Sequence, residues 1–472
     1  MIDFRREGRL QDVESHSADT LPLDTFLDDL PPRLARALAQ APRDRYFSVA
    51  LRAPGLPAFL GMPEVGPAVY WNRTTDGRLR IGAGVAWEAT AAGEDRFRAL
   101  AAAWRELLRR WSTASLDGSD AGRSAFVGFA FSPDATAGVL PNALLWVPRV
   151  LAERRDATTV LHFTAAPDDD RDAVLARWTE AARGLACRAR QSGAADSTPW
   201  AGDALRPADP GWTERVGLAL AAIASQRVEK LVVTRRLDLP LPRSPELGRL
   251  LPWLAARHPH SSVFAVRRHG VSLVGASPER LLNLNGGLVV ADALAGSAPR
   301  SAQDDEDRTL GSALLGSVKE LAEHRVVVRE ILAALEPLCT ALVASQSPSL
   351  LRLPGVQHLA SHVHGRVRAG IGVFDLLERL HPTPAVGGSP RGPALDWLRD
   401  NGEAERGWYT GGVGWLEESG GDVWVALRCA SLCGERASLF AGAGIVAGSD
   451  PGQELRETGW KLATMLEALA IG

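Results

Sequence analysis

Apolar and polar residues recur with two different periods along the chain, and each period predicts one kind of element. Residues 96–111 carry apolar side chains at helical spacing, whereas 124–131 is a short apolar run typical of a strand. Helical patterns return at 212–227 and 246–258, and a strand with alternating side chains starts at Lys230. The pattern therefore predicts a chain that mixes helices and strands throughout.

The second half of the chain is rich in pairs of strand-like segments joined by short turns. Residues 267–270 separate two apolar segments, and Asn285-Gly286-Gly287 separate two more, in a sequence that tolerates the positive φ of a hairpin turn. A long helix is predicted from about Leu314 to Leu338, residues 408–448 read as one antiparallel meander, and a closing helix begins near Pro451. We therefore expect an α+β fold in which helices cover large antiparallel sheets.

One stretch without sustained periodicity divides the chain. Residues 191–211 are rich in Ser, Ala, Asp, Gly and Pro, which is typical of a linker or a long surface connection. We accordingly predict an N-terminal α/β region at 1–200 and a catalytic region at 212–467. The signals for chemistry are concentrated in the second.

Charge and hydropathy exclude two classes of partner. The 53 Lys and Arg residues nearly balance 56 Asp and Glu residues, for a net charge of −3, and no basic block is present. A protein that grips nucleic acid through its phosphates normally has a basic surplus, so we expect no nucleic-acid partner. No apolar run approaches the roughly 20 residues that a membrane span needs, so we expect no membrane partner and a cytoplasmic protein.

The distribution of basic residues points to candidate chemistry. Only three of the 53 basic residues are lysines, namely Lys230, Lys319 and Lys461. Arginine stays protonated at any usable pH, whereas a lysine can be tuned to act as a base. Each lysine is therefore a candidate for function, although random drift in composition would equally well leave a few lysines in the chain.

Two helical segments carry the same pair of carboxylates. Glu320 and Glu323 are three residues apart, as are Glu454 and Glu457, so each pair shares one helical face. Like charges at this spacing cost roughly 0.2 to 0.5 kcal/mol unless a cation compensates. Mg²⁺, which prefers oxygen ligands, would compensate; so would neighbouring Lys and Arg side chains on an exposed face.

A second acidic signal lies at the end of an apolar strand. Glu279 directly follows Pro278, which restricts the backbone, and a partly desolvated carboxyl at this point would suit a general acid. A surface turn closed by an ion pair with Arg280 is the simpler alternative. Lys230 shares a strand face with apolar Val232, so it is either an exposed strand end or a partly buried amine.

Ten motifs, taken in order, resemble the chorismate-utilising enzymes: isochorismate synthase, salicylate synthase, anthranilate synthase component I and aminodeoxychorismate synthase component I. The motifs are KLVVTRR, GASPERLL, LAGSAPR, KELAEHRVVV, VQHLASHVHG, HPTPAVGG, RGWYTGGVGW, VALRCA, AGAGIVAGSDP and ELRETGWKL. They span about residues 213–467, and the N-terminal part fits only loosely. The resemblance implies the fold of anthranilate synthase component I and chorismate as the substrate.

The resemblance also implies roles for individual residues. Lys230 matches the general base that activates water, and Glu279 matches the general acid that protonates the departing hydroxyl. Mg²⁺ is the implied cofactor, with Glu323 and Glu457 as its principal ligands and Glu320 and Glu454 in support through water. The positions that match substrate-binding residues are Gly296, Ser297, His358, Ala385, Tyr409, Arg428, Gly442 and Lys461.

Two positions bear on the choice within the family. Family members that use ammonia generally lack the base lysine, so Lys230 favours a water nucleophile and argues against anthranilate synthase. Ala385 resembles isochorismate synthases, whereas salicylate synthases tend to have threonine there. We therefore expect an isochorismate synthase, with salicylate synthase as the alternative. No glutaminase subunit is expected, and the chain should be a monomer or weak homodimer. The downstream pathway stays open between menaquinone, a siderophore and salicylate.

Overall fold

The structure is a computed structural model that describes residues 23–53, 56, 61–135, 138–188 and 209–470. Over these residues the helices are α1 Leu23–Gln40, α2 Arg96–Arg109, α3 Arg171–Arg188, α4 Trp212–Ala224, α5 Leu247–Arg257, α6 Asp304–Gly316, α7 Val318–Leu335, α8 Val373–Leu380, α9 Arg391–Asp400 and α10 Pro451–Leu469. The strands are β1 Tyr46–Arg52, β2 Ala68–Arg73, β3 Arg78–Ala83, β4 Trp87–Ala91, β5 Trp111–Ser115, β6 Ser124–Phe129, β7 Ala143–Val147, β8 Val150–Arg155, β9 Thr158–Ala165, β10 Lys230–Pro240, β11 Ser262–Arg268, β12 Val271–Ser277, β13 Arg280–Asn285, β14 Leu288–Pro299, β15 Cys339–Ala344, β16 Ser349–Arg352, β17 Val356–Val367, β18 Gly388–Ser389, β19 Gly412–Glu417, β20 Gly420–Val425, β21 Cys429–Cys433 and β22 Arg436–Ile445.

The strands form two large sheets. The first has twelve strands in the order β18-β10-β22-β21-β12-β11-β2-β3-β8-β9-β1-β5. The second has the order β15-β17-β14-β13-β20-β19-β6-β7-β4, and β16 also pairs with β17. Only β1 and β5 pair in parallel among the described strands. The predicted α+β class with large antiparallel sheets covered by helices is confirmed.

Both regions of the sequence contribute strands to both sheets. In the twelve-stranded sheet, β2 pairs with β11, and in the ten-stranded sheet β6 pairs with β19. The two regions therefore share backbone hydrogen bonds. Most of the predicted linker at 191–211 lies outside the described residues, which resume at residue 209.

Four apolar clusters hold the sheets and helices together, one of which packs α4 and α9 on β10 and β22. A central layer joins the facing sides of the two sheets, with Trp71 and Phe264 from one sheet against Phe126 and Trp415 from the other. On the outer faces, α1, α3, α5 and α10 cover the twelve-stranded sheet, and α2, α7 and α8 cover the other. Burial of such aromatic side chains contributes roughly 1.5 to 3 kcal/mol each.

The local expectations are largely confirmed, with two corrections. Both predicted hairpins form, as β11–β12 and β13–β14, and the closing helix begins at Pro451. The long helix predicted from about Leu314 to Leu338 is confirmed except at its start: α6 ends at Gly316, α7 spans Val318–Leu335, and a 3-10 turn continues to Leu338. Ser317 separates α6 from α7 because its side chain accepts a hydrogen bond from the Glu320 amide as an N-cap.

The predicted meander at 408–448 is wrong. Its strands form two hairpins in different sheets: β19–β20 in the ten-stranded sheet and β21–β22 in the twelve-stranded sheet. The chain crosses between the sheets at residues 426–428, where Arg428 has a left-handed φ of 47°. A sequence of short hairpins looks the same whether or not the chain changes sheet. Among the described helices, none is long and apolar enough to span a membrane.

Candidate active site

The candidate site lies where the chain passes twice between the two sheets. The first crossing joins β12 to β13 through Pro278 and Glu279, and the second joins β20 to β21. The crossings are hydrogen-bonded to each other, since Ser277 Oγ donates to the Val425 carbonyl at 2.6 Å and the Val425 amide donates to the Glu279 carbonyl at 3.0 Å. Glu279 and Arg428 are thereby brought to one cavity.

The cavity gathers most of the residues that the sequence singled out. Its lining consists of Val232, Pro278, Glu279, Leu294, Ala295, Gly296, Ser297, Glu323, His358, Ala385, Val386, Tyr409, Thr410, Leu427, Arg428, Gly442, Gly444, Glu457 and Lys461. Lys230 and Glu320 lie outside the lining but contact it, through Glu323 and Ser297 respectively. Glu454 also lies outside the lining and pairs with Lys319, which in turn contacts Glu320.

Lys230 is a buried amine and not an exposed strand end. It is the first residue of β10, its side chain is 1% exposed, and its Nζ lies 2.8 Å from Glu323 Oε1. Neighbouring β22 passes close by at Gly444, where a Cβ would stand 2.4 Å from Glu323 Oε1 and 2.9 Å from Lys230 Cε. Glycine at 444 therefore makes room for this ion pair.

All three lysines of the chain contact the four glutamates. Besides the Lys230–Glu323 pair, Lys319 Nζ is 3.0 Å from Glu454 Oε1 and 3.4 Å from Glu320 Oε1. Lys461 Nζ is 2.6 Å from Glu457 Oε1 and donates to the Gly442 carbonyl at 2.8 Å. The glutamates of α7 and α10 thus face one another across a shared set of ammonium groups.

Burial and mutual repulsion shift the pKa values of these carboxyls in different directions. Burial, and then the neighbouring Glu323 charge, raises the pKa of Glu320, and burial followed by Glu457 raises that of Glu454. Burial is the largest influence on Glu457 and raises its pKa, but the charge of Lys461 and the hydrogen bonds from Lys461 and Ser297 together outweigh it, so the net pKa is lowered. Burial lowers the pKa of Lys319, but the charge and hydrogen bond of Glu454, together with the nearby Glu320 charge, raise it by more. The net pKa is raised, so this lysine is held as an ammonium.

Four carboxylates on two facing helices are an oxygen-only donor set, which fits Mg²⁺. Ser297 connects the helices, since its amide donates to Glu320 Oε2 at 3.2 Å and its hydroxyl donates to Glu457 Oε1 at 3.1 Å. Among the described residues, no three His, Cys, Asp or Glu side chains converge on one point as metal ligands do. The lysines stand between the carboxylates instead.

The surroundings of Glu279 favour its protonated form at neutral pH. Its side chain is buried, and its Oε1 has no hydrogen-bond partner in the described part of the chain. Burial is the main cause that raises the pKa of Glu279 to about 8, and the nearby Asp292 charge adds to it, against the opposing Lys230, Arg428 and Lys461. A buried carboxyl that keeps its proton at pH 7 can act as a general acid.

A chain of hydrogen bonds runs from Arg428 to the carboxylate cluster. Arg428 donates to His358 Nε2 at 2.8 Å, and because a guanidinium has only donors, this ring nitrogen must be the acceptor. Burial, with the adjacent Arg428 charge, lowers the pKa of His358 to about 3, so the ring is neutral. His358 Nδ1 then carries the hydrogen, 3.0 Å from Ser297 Oγ, and Ser297 in turn donates to Glu457.

Tyr409 and Ala385 complete the predicted set. Burial raises the pKa of Tyr409 above its usual range, so its phenol remains a donor, and its ring stacks on Phe440 at 5.2 Å. Its hydroxyl lies 3.2 Å from where a Cβ of Gly442 would stand, so glycine leaves space beside it. Ala385 lines the cavity through the loop that joins α8 to β18.

Sequence reasoning missed three residues near this cavity. Gly444 is one of them, and its position two residues after Gly442 places both glycines on one face of β22. Thr410 holds a left-handed φ of 61° beside Tyr409, a strain that no sequence pattern indicates. Asp292 lies on β14 behind Glu279, and only the strand register reveals its neighbours.

Comparison with known proteins places the chain in a family. A family model described as chorismate binding enzyme matches residues 34–470. An enzyme named salicylate biosynthesis isochorismate synthase, from Pseudomonas aeruginosa, is 37% identical over 420 residues, which is 86% of each chain. The structure of the menaquinone-specific isochorismate synthase MenF from Escherichia coli superposes with a TM-score of 0.78 at 25% identity, over 94% of this chain and all of the other.

Anthranilate synthase component I from Streptococcus pneumoniae shares the fold, with a TM-score of 0.57 at 19% identity over 90% of this chain and 93% of the other. The expected fold type is therefore confirmed. The matched family model covers nearly the whole described chain, including the N-terminal part that fitted only loosely by motif. This protein belongs to the family of chorismate-binding enzymes.

Proposed function

We propose that the protein is an isochorismate synthase, an isomerase that converts chorismate to isochorismate. The observation that carries the proposal is that a buried carboxyl suited to donate a proton, Glu279, lines a cavity that a buried lysine, Lys230, contacts through Glu323. A water nucleophile needs both. The Pseudomonas aeruginosa relative bears the name of this activity.

The proposed reaction adds water at C2 of chorismate and releases the C4 hydroxyl as water. Lys230 takes a proton from the attacking water, the ring double bonds shift, and Glu279 protonates the departing hydroxyl. One water enters and one leaves, so the product is an isomer. The acid step agrees with the raised pKa of Glu279, which keeps its proton at pH 7. Lys230 has to give up its own proton before it acts as the base.

The substrate is a dianion, so its burial requires donors near each carboxylate. We assign Arg428, Lys461 and Tyr409 to these contacts, with Gly442 leaving space beside the Tyr409 hydroxyl. Gly296, Ser297 and His358 line the same cavity, and we assign them to the substrate ring and its hydrogen-bond network. His358 is neutral, so it orients Arg428 without competing for the substrate's negative charge.

We further propose that Mg²⁺ is held by Glu323 and Glu457, with Glu320 and Glu454 in support. When bound, the ion would neutralise a substrate carboxylate and withdraw electron density from the diene. The lysines that now contact these glutamates would then be free for other partners.

The test is product analysis after the purified chain is incubated with chorismate. We expect isochorismate as the product with Mg²⁺ alone, in the absence of ammonia, nucleotide and any glutaminase subunit. Stoichiometric release of pyruvate would make the protein a salicylate synthase instead. Anthranilate formed with ammonia, or full activity in EDTA, would refute the proposal. The relatives are named for salicylate and menaquinone biosynthesis, and we propose that this chain serves one of these routes or a siderophore route.

A further inference from the structure

A buried carboxylate lies directly behind the peptide that carries Glu279. Asp292 belongs to β14 and is 8% exposed. Its Oδ2 accepts a hydrogen bond from the Arg280 amide at 3.2 Å, which is the amide of the Glu279–Arg280 peptide bond. Asp292 is therefore hydrogen-bonded to the backbone immediately after Glu279.

The other oxygen of Asp292 faces an exposed histidine. Its Oδ1 lies 2.8 Å from His362 Nδ1, which is directly opposite on β17 in the strand register. The His362 side chain is 53% exposed, and its hydrogen bond to Asp292, opposed by partial burial, raises its pKa. Asp292 thus connects the backbone beside Glu279 to the solvent-exposed His362.

The charged groups around Glu279 come from several elements. Those whose charge acts on it are Asp292 on β14, Lys230 on β10, Arg428 ahead of β21 and Lys461 on α10. Arg280, next in sequence, faces Asp422 on β20 at 3.3 Å, and His362 on β17 faces Asp292. The three cations favour an ionised Glu279, and Asp292 is the nearby charge that opposes them.

We propose that Asp292 is a positioning residue for the general acid: its carboxylate holds the peptide that carries Glu279 and places a buried negative charge behind that side chain. His362 is the exposed hydrogen-bond partner of Asp292. Neither residue lines the cavity, so both act through Glu279 and not on the substrate. The proposal rests on the proposed function, in which Glu279 is the acid.

The charge of Asp292 has a predictable effect on the pH profile. Glu279 must be protonated to act, so turnover falls as the pH rises through its pKa, and this fall is the basic limb of the profile. Removal of a neighbouring negative charge makes ionisation of Glu279 easier. The basic limb of an Asp292→Asn variant should therefore move to lower pH, by about one pH unit.

The experiment measures kcat and kcat/KM for isochorismate formation between about pH 5.5 and 9.5 for wild type and Asp292→Asn, and the basic limb is read from kcat/KM because that profile reports the free enzyme. Asparagine keeps the shape and can still accept from the Arg280 amide. Asp422→Asn is the matched control, because Asp422 is equally buried and also contacts Arg280 but does not act on Glu279. Its basic limb should coincide with that of wild type, even where its thermal stability is lower.

A second pair of variants keeps the test informative if Asp292→Asn folds poorly. His362→Arg alters an exposed side chain and places a permanent positive charge beside Asp292, so the basic limb should move to lower pH. His364→Arg, at the next exposed histidine on the same strand face, is its control and should leave the limb in place. A His362→Arg limb at or above the wild-type position would overturn the role given to the Asp292 charge.

Product analysis separates failure of this proposal from failure of the proposed function. If wild type forms no isochorismate, the function itself is wrong. If wild type forms isochorismate and Asp292→Asn lowers kcat equally at every pH, Asp292 is only structural and the positioning proposal is wrong. A limb that moves to lower pH, with activity recovered in acid, supports it.

Discussion

Replacement of Glu279 by glutamine should stabilise the folded protein at the same time as it abolishes turnover. A carboxyl that is buried among apolar and charged neighbours holds its proton up to about pH 8, whereas in the unfolded chain it loses the proton from about its usual pKa of 4.5. Between these values the unfolded state binds fewer protons than the folded state. The free energy of unfolding therefore falls as the pH rises through this window.

The size of the effect follows from the two pKa values. One pKa unit corresponds to about 1.4 kcal/mol, so the destabilisation that Glu279 contributes grows by about 3 kcal/mol from pH 5 to pH 8. Glutamine has a similar shape and no charge, so the variant lacks this pH dependence. The free energy of unfolding of Glu279→Gln, taken relative to that of wild type, should therefore be about 3 kcal/mol higher at pH 8 than at pH 5.

The assay is denaturant unfolding of wild type and Glu279→Gln at both pH values, with kcat measured in parallel. Any pH-independent cost of the amide cancels in the difference. Exposed Glu405→Gln is the control, and its difference from wild type should not change with pH. If the Glu279→Gln difference is the same at pH 5 and pH 8, then Glu279 is not held protonated. The variant should also lose turnover by roughly 100-fold or more, as expected for loss of a general acid.

Four further changes probe the rest of the site. Lys230→Arg keeps the charge but cannot release a proton, so kcat should fall by roughly 100-fold with little change in KM; near-normal kcat would refute the base role. Gly444→Ala places a methyl group 2.4 Å from Glu323 Oε1 and should lower kcat sharply, whereas Gly217→Ala, with nothing within 4 Å, should not. Ala385→Thr should raise the pyruvate released per chorismate consumed in a coupled lactate dehydrogenase assay, and no release would remove position 385 as a determinant. EDTA should abolish turnover and Mg²⁺ restore it, and calorimetry should detect Mg²⁺ binding that Glu323→Gln weakens.

Local turn chemistry was readable from the sequence because it depends on few residues. The Asn285-Gly286-Gly287 turn forms as expected, with φ of 56° and 77° at its two glycines. The break at Ser317 was readable in principle, since Ser317 followed by Glu320 is a helix-start signal. Its apolar neighbours Leu315 and Val318 are both exposed, so they do not belong to a buried face that would continue through Ser317.

The points where the chain crosses from one sheet to the other could not be predicted from the sequence. These crossings matter most for the site. Alternation of apolar and polar residues fixes which face of a strand is buried, but it carries no information on which sheet a strand joins. Glu279 and Arg428 come together only because both crossings occur at the same place. The Asp292–His362 pair likewise depends on the register of β14 against β17, which neither segment specifies alone.

The retention of lysine at three positions has a common electrostatic reason. Lys230, Lys319 and Lys461 all contact the cluster formed by Glu320, Glu323, Glu454 and Glu457, so three ammonium groups face four carboxylates. That leaves one formal negative charge, which a divalent cation would turn into one positive charge. Arg428 adds another positive charge to the same cavity. A compact ammonium can also change partners more easily than a planar guanidinium fixed by several hydrogen bonds. A site whose charges must be rearranged when metal and substrate arrive therefore favours lysine, even in a chain that otherwise uses arginine.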